Sequence, residues 1–401
     1  MKKLRVGLVG IGNMGRSHLM YLRRMEDEGR LTLEAVCDTA LDRYSANLGE
    51  FGYTGVRTYS DFDNFLRQER GLDFIVLCTP LMLHRDMLIT AVKAGHNVML
   101  EKPPAVTIQD IDEMIKTAKE SGMRVAVGFQ MTAAKSFIAF CDRIRAGNIG
   151  RVQKVTAVGI WSRPRSYYDR TSWAGKLRIG GKYVLDGTVN NPFAHTLNNS
   201  LIVAGLSGDS TPDTVTAELY HANDIESEDT SCLRIVTRGG VEVFFTATVA
   251  SVTQSDPYIE AEGTEGWARW DYNGSIRFSR VRGGEPFCSE NIRTEAHKDL
   301  YENICDYFSG VTASPSCTLA ETRSFVLASD LAFESSQLTH AIPAQYLKKT
   351  GEGEDEVTSI PGICELMEKA ASEHRLFSEL GTPWGVKTKP FRNEGYSRFA
   401  L

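Results

Sequence analysis

Residues 4–15 read Leu4-Arg5-Val6-Gly7-Leu8-Val9-Gly10-Ile11-Gly12-Asn13-Met14-Gly15, an apolar run closed by three spaced glycines, with a helical pattern opening behind them. In that context each glycine has a task. Gly10 permits a tight turn, Gly12 lets backbone approach a pyrophosphate, and Gly15 lets helix and strand pack closely. Ile11, Asn13 and Met14 complete a loop whose free N–H groups and helix dipole favour an anion. A second apolar run, Leu31–Cys37, ends at Asp38, 23 residues after Gly15. A carboxylate there accepts hydrogen bonds from adenosine ribose hydroxyls and repels a 2′-phosphate, so NAD is favoured over NADP. Arg43, just beyond, partly offsets that repulsion. The plainer alternative is a glycine turn followed by a surface aspartate.

Outward from this stretch, apolar runs at Leu4–Val9, Leu31–Cys37, Leu72–Cys78, Asn97–Glu101 and Arg124–Phe129 alternate with helical patterns near 14–26, 40–51, 60–70, 84–95 and 107–121. Continuous apolar strands between helices predict a parallel sheet covered on both faces, an α/β Rossmann domain over 1–131. Gly95 and Gly122 stand where helices should stop. After a helix at about 133–147 the pattern changes. Val152–Trp161, Val215–Tyr220, Cys232–Thr237, Val241–Val249, Trp267–Tyr272 and Ser275–Val281 read as strands, with Gly239-Gly240 and Asn273-Gly274 as hairpin turns. This predicts an α+β domain over 132–401 with an open, largely antiparallel sheet. Helices near 187–206, 295–308, 318–338 and 361–378 are expected to cover one face of it.

The 401 residues carry 45 Lys+Arg against 51 Asp+Glu, a net charge of −6, with 42% hydrophobic and 24% charged residues. Those values fit two or three globular domains, exclude wholesale disorder and leave no basic footprint for nucleic acid. No apolar run approaches the ~18–20 residues needed to span a bilayer. Met1-Lys2-Lys3 imitates the start of a leader, but the apolar run behind it ends at once in Gly10, Asn13, Arg16 and His18 without a small-residue cleavage site. A cytoplasmic protein is expected. Eight cysteines without a CxxC pair and eight histidines without HxH or HExxH predict neither a disulfide framework nor a metal site.

Two further strand ends are chemically loaded: Cys78-Thr79-Pro80 and Leu100-Glu101-Lys102-Pro103-Pro104. Ligands of parallel sheets bind beyond the carboxyl ends of strands, which sets Thr79, Glu101 and Lys102 beside a nucleotide. A local Glu101–Lys102 ion pair is the alternative. These residues carry a resemblance. Gly10–Gly15, Thr79-Pro80 with His84 behind it, Ala94-Gly95-His96-Asn97-Val98, and above all Glu101-Lys102-Pro103 resemble the glucose–fructose oxidoreductase/inositol dehydrogenase (Gfo/Idh/MocA) family. The likeness continues through Gly128-Phe129, Trp173-Ala174-Gly175, Gly180-Gly181, Asp186-Gly187 and Glu262–Gly266. It implies NAD(P)-linked oxidation or reduction of sugars, cyclitols and related polyols, and a homo-oligomer, dimer or tetramer, formed through the C-terminal sheet. It also implies that Lys102 is the catalytic lysine and that Gln130 lies near the cofactor. The chemistry agrees: an ammonium group stabilises developing alkoxide charge and, with a lowered pKa, takes the hydroxyl proton. Leu81 departs from the polar residue usual after Thr-Pro in the family, which puts one nicotinamide or ribose contact in doubt.

Family members commonly carry Asp-x-Gly-x-His on the helix lining the substrate pocket. Here Asp186 matches and is, with Lys102, the leading catalytic candidate, and Asn191 is a candidate substrate contact beside it, but Asn190 stands in the histidine position. Asn190 can hydrogen-bond a substrate hydroxyl but cannot exchange a proton at neutral pH. His195 takes over that role if the helix is re-set with Asn191 as N-cap and Pro192 at its first position; otherwise His195 is a packed core histidine. Upstream, Arg163, Tyr168 and Trp173 lie on an aromatic and basic loop suited to a polyol, with rings for C–H faces and guanidinium for hydroxyls. A charged loop sealing a domain junction is the alternative. The tail segment Gly381-Thr382-Pro383-Trp384-Gly385 is a candidate pocket cover. The reading is therefore an NAD-dependent sugar or polyol oxidoreductase. A glycosidase that retains NAD and works by transient oxidation, and a non-catalytic NAD-binding regulator, are the competing functions.

Overall fold

The computed structural model describes residues 3–208 and 210–401; Met1 and Lys2, from which the leader-like start was read, lie outside the described residues. The chain forms two compact units, each assembled from separate segments. The first takes in the chain to Ala105, Asp110–Ala134 and Glu295–Thr322; the second takes in Val106–Gln109, Lys135–Thr294 and Arg323–Leu401.

The first unit is built on a six-stranded sheet: β1 (Leu4–Val9), β2 (Leu31–Cys37), β3 (Arg57–Tyr59), β4 (Phe74–Leu77), β5 (Val98–Leu100) and β6 (Val125–Val127). The strand order is β3-β2-β1-β4-β5-β6 and every pairing is parallel. The order reverses beside β1, the point at which doubly wound sheets hold ligands. Helices α1 (Met14–Asp27), α2 (Leu41–Glu50), α3 (Phe62–Gln68), α4 (His84–Lys93), α5 (Ile108–Ser121) and α6 (Gln130–Ala133) follow the strands. β3 escaped the sequence reading because Arg57-Thr58-Tyr59 is short, edge-placed and largely exposed. Gly95 and Gly122, at φ 88° and 70°, end α4 and α5 as expected.

The second unit adds α7 (Lys135–Arg145), β7 (Val152–Ser162), α8 (Arg165–Asp169), the short pair β8 (Arg178–Ile179) and β9 (Lys182–Tyr183), and α9 (Ala194–Val203). Then come β10 (Pro212–His221), β11 (Thr230–Thr237), β12 (Glu242–Thr248), β13 (Ala250–Gly263), β14 (Trp267–Asp271), β15 (Ser275–Ser279) and β16 (Pro286–Asn291). The large sheet runs β16-β15-β14-β13-β7-β12-β11-β10, closed by β17 (His340–Ala341), and it is antiparallel except where β7 meets β12 and β10 meets β17. The two glycine hairpins join β11 to β12 and β14 to β15 as expected. β13 was missed for a physical reason. Its segment Val252–Asp256 is exposed and mostly polar, and Pro257 sits within the register shift between Ser255 and Tyr258, where a bulge tolerates it.

Two helix placements differ from expectation. α10 (Ala296–Phe308) does not cover the antiparallel sheet. It belongs to the first unit, where Leu300, Tyr301, Ile304 and Phe308 join Val6, Leu8, Phe74 and Leu22 in one core, and Phe308 stacks on Phe74 at 4.5 Å. An amphipathic pattern gives a helix an apolar face but not the address of that face. α11 (Arg323–Ser336) and α12 (Ile363–Glu373) do belong to the second unit. α12 lies on the opposite face of the sheet from α9. Val158 clusters with Met367, whereas its neighbour Gly159 lies under Phe193 at the start of α9, and successive strand residues point to opposite faces. Trp384, within the tail segment expected as a pocket cover, packs on Tyr220 and Phe377 in the α12 core. Among the described residues no helix is long and apolar enough to cross a membrane, and no group of three or more His, Cys, Asp or Glu side chains is placed to hold a metal. All eight cysteines are free.

Candidate functional site

In the first unit the glycine loop is closed as its sequence requires. A Cβ on Gly10 would lie 2.0 Å from the Cys78 carbonyl oxygen, and one on Gly15 would lie 2.2 Å from the Gly10 carbonyl oxygen. Gly10 also takes φ 89°, a region that side chains avoid. Asn13 stands at φ 36° at the start of α1. Asp38 is fixed by two backbone donors, Ile11 N–H at 2.9 Å and Ala40 N–H at 2.8 Å. The Asp38 carboxylate keeps acceptor capacity beyond these two bonds. The exposed Arg43 lays its guanidinium over Tyr44, whose ring in turn lies against Gly12. The Thr79 hydroxyl oxygen is buried without a hydrogen-bond partner among the described residues. A cradle that only glycine fits, a pinned carboxylate and an unpartnered hydroxyl at neighbouring strand ends fit a dinucleotide.

His84, expected among the cofactor contacts, is instead interior. Its ring nitrogens lie 2.8 Å from the carbonyl oxygens of Pro103 and Thr79, between the two strand-end loops. Burial holds its pKa below the ordinary value, so a single N–H donates at a time. Pro80 leads into a short 3-10 turn that buries Leu81, and Gln130 opens α6, half-buried. Lys102 follows β5, with its backbone N–H held by the Glu101 side chain at 3.0 Å.

In the second unit the centre is Asp186. It is 4% exposed and accepts from Gly175 N–H at 2.8 Å, from the Asn191 amide at 2.7 Å and from Arg170 at 3.2 Å. Leu185, just before it, takes φ 47°, strained backbone for a branched residue, worth ~1–3 kcal/mol. Arg170 lies 3.7 Å over the Tyr167 ring and 5.5 Å over Trp173, while Arg163 lies over Trp161 and Tyr167. The aromatic and basic loop thus gathers around Asp186 through Arg170, a residue the sequence reading did not single out. Tyr168 stands near the Asn223 amide, 3.5 Å away, and packs beside Gly175.

The Asn190–Asn191 expectations need correction. Residues 187–193 are turns, and α9 begins only at Ala194 with Phe193 as its cap residue. Asn191 does not cap the helix; its amide is spent on Asp186. Asn190 is fully buried and exchanges both amide groups with the Ser329 hydroxyl of α11, at 2.9 and 3.1 Å. It therefore holds α11 rather than a substrate hydroxyl. His195 is the second residue of α9 and 7% exposed. Behind the turn lies Glu228, also missed, whose carboxylate accepts Val189 N–H at 3.0 Å and fills the space above Gly187. Burial pushes its carboxyl up to about 7. Asn190→Ala should lower stability by ~1–3 kcal/mol, because Ser329 loses its partner in an apolar interior. Its kcat and KM should stay at wild-type values, and denaturant unfolding beside steady-state kinetics measures both. A raised KM at unchanged stability would return Asn190 to the substrate.

Comparison with known proteins gives the following. Residues 4–129 match the family model described as oxidoreductase family, NAD-binding Rossmann fold, and residues 137–269 match the GFO/IDH/MocA C-terminal domain. The chain is 25% identical to the myo-inositol 2-dehydrogenase of Thermotoga maritima over 190 residues, 47% of this chain and 52% of that protein. It is 30% identical to a glycosyl hydrolase family 109 protein of Saccharopolyspora erythraea over 191 residues, 46% of this chain and 41% of that protein. The matches thus span about half the length of these curated relatives or less. Among solved structures, the WlbA dehydrogenase of Bordetella pertussis, in complex with NADH and UDP-GlcNAcA, is 26% identical with a TM-score of 0.69, covering 84% of this chain and 97% of that one.

Proposed function

The chain belongs to the GFO/IDH/MocA family of oxidoreductases, with its NAD-binding Rossmann fold, and from that premise we propose that it is an NAD-dependent dehydrogenase or reductase of a sugar, inositol or related polyol. When bound, NAD supplies the hydride chemistry at a secondary carbinol carbon. Gly10, Gly12 and Gly15 give backbone access to the phosphates, and Asp38 takes the ribose hydroxyls. Lys102 handles the hydroxyl proton. On the substrate side, Asp186, oriented by Arg170, Asn191 and Gly175, accepts from hydroxyls, while Arg163, Tyr168 and Trp173 offer rings and charge to the polyol faces. His195 assists as acid–base or ligand. The observation that carries this reading is the pairing of a glycine cradle that no side chain fits with the Glu101-held Lys102 two strands away in the same sheet.

The rest of the proposal is a division of labour between a cofactor domain over 1–131 and a substrate and oligomer domain over 132–401, with a homo-oligomer formed through the large sheet. Eight free cysteines support a reducing, cytoplasmic setting. The likeness to a glycosyl hydrolase family 109 protein favours one second reading, an NAD-retaining glycosidase. Incubation with NAD+ and a panel of polyols, followed by absorbance of reduced cofactor, separates the two. Net NADH is expected; aryl-glycoside cleavage without net NADH would replace the dehydrogenase by the glycosidase.

Asp38→Ala should weaken NAD+ binding about tenfold and NADP+ binding less, because it deletes both the ribose acceptor and the repulsion of a 2′-phosphate. Calorimetric titration with each nucleotide measures this. A wild-type chain that already prefers NADP+ would overturn the role given to Asp38.

A further inference from the structure

His18 lies one turn into α1, three residues after Gly15, on the helix whose N-terminus faces the glycine loop. It is 1% exposed. Its Nε2 lies 3.0 Å from Glu101 Oε1 and its Nδ1 lies 2.6 Å from the Tyr301 hydroxyl on α10. The other Glu101 oxygen accepts the backbone N–H of Lys102 at 3.0 Å. Tyr301 is fully buried and Glu101 is 6% exposed. Gly128 leaves the room Glu101 occupies, since a Cβ there would stand 2.9 Å from Oε1.

A buried carboxylate and a buried imidazole are unfavourable unless they are paired. The fold alone does not ask for them. Apart from Gly15, the other buried positions of α1 carry the apolar side chains of Leu19, Leu22 and Met25. What the polar chain adds is a connection from the glycine-loop helix to the residue before Lys102. We propose that His18 and Tyr301 are positioning residues for Lys102, holding Glu101 so that the nucleotide-binding helix and the lysine-bearing strand end keep one fixed register. This rests on the role given to Lys102 above.

The electrostatics fit an imidazolium–carboxylate pair. Burial disfavours the His18 cation, yet its pKa stands well above the ordinary value, with Glu101 against one ring nitrogen and the Tyr301 hydroxyl against the other. Burial alone would raise Glu101, but the hydrogen bond and charge of His18, then the charge of Lys102, bring it down to about 2. The other groups facing the pair are held neutral by burial: Tyr301 and Cys78 with raised pKa values, His297 with a lowered one. Glu101 is the anionic partner. With both ring nitrogens protonated, Nε2–H donates to Glu101 and Nδ1–H donates to Tyr301.

The test uses the full chain. With histidine 13C-labelled at Cε1 and no nucleotide added, the His18 resonance is the one lost in His18→Gln. It should stay at its protonated shift through the pH range in which an ordinary histidine titrates in the wild type and titrate lower in Tyr301→Phe, a variant that keeps the ring packing. With NAD+ and a polyol that the wild type oxidises, His18→Gln should cut kcat at least about tenfold while the NAD+ dissociation constant moves less than about threefold. Tyr301→Phe should keep activity at low pH and lose it as pH rises through the new His18 midpoint. A wild-type His18 titrating as an ordinary histidine overturns the proposal, and so does a Tyr301→Phe profile identical to wild type. Lys102→Met separates the two levels. If it retains turnover, both the lysine's role and its positioning fall. If it loses turnover while His18→Gln and Tyr301→Phe match wild type at every pH, only the positioning falls.

Discussion

Lys102→Met should lose turnover by ~10²–10⁴, the range that proton handling by a positioned group contributes, while its dissociation constant for NAD+ stays within about threefold of wild type. Methionine keeps an unbranched stem of similar length, so the packing of the side chain survives and the ammonium alone is removed. The backbone that places the residue does not depend on the side chain: Lys102 N–H is held by Glu101. The glycine loop and Asp38 are anchored to each other through Ile11 rather than through Lys102. Binding and turnover should therefore separate. Calorimetric NAD+ titration gives the first quantity, and NADH formation with a polyol that the wild type oxidises gives the second. Turnover within tenfold of wild type would remove Lys102 from the reaction; a comparable loss of NAD+ binding would recast it as a cofactor-binding residue.

The first unit was legible because its signals are local. A strand, a spaced-glycine turn and a helix are contiguous in sequence, and Leu4–Val9 and Leu31–Cys37 were read to the residue. Asp38 follows from one distance along the chain. What escaped is what depends on contacts between distant segments. α10 carries an apolar face that fits either sheet, and only the folded chain shows Phe308 on Phe74. His18 was visible as a histidine among Leu19, Leu22 and Met25 on the buried face of a helix, a pattern that asks for a polar partner. Its partners are 83 and 283 residues away, however, and no spacing rule reaches them. Asn190 shows the converse error. The family position suggested a substrate contact, but amide-to-hydroxyl pairing with Ser329 on α11 satisfies the side chain inside the fold. β13 was hidden because strand patterning fails where a strand bulges and turns polar. Tertiary pairing thus overrides local pattern in both units: at α10 and His18 in the first, and in the second at β13 with its register shifts and at the Asp186 turn, which is held by side chains from several segments.

His195→Asn is expected to lower kcat about a hundredfold and to abolish or displace the acid limb of the pH–rate profile. The family's histidine position is taken by Asn190, and that amide is committed to Ser329. Asp186 is engaged by Gly175, Arg170 and Asn191, an arrangement that suits a fixed acceptor better than a group cycling its proton. His195 is the histidine that remains in this stretch, at the start of a helix following directly on the Asp186 turn. An imidazole that takes a proton works in its neutral form, so activity should rise as pH passes upward through its titration, and that limb carries its pKa. Asparagine retains a polar side chain and a hydrogen-bonding group at the position but cannot titrate, so the limb must go if His195 is its source. If His195 is only packed into α9, the variant should melt earlier, and its folded fraction should keep both the wild-type rate and the wild-type acid limb. Rate–pH profiles of His195→Asn and Asn190→Ala on one substrate, each beside a thermal melt, decide the matter, because the geometry predicts opposite outcomes: chemistry lost with little stability at 195, stability lost with little chemistry at 190.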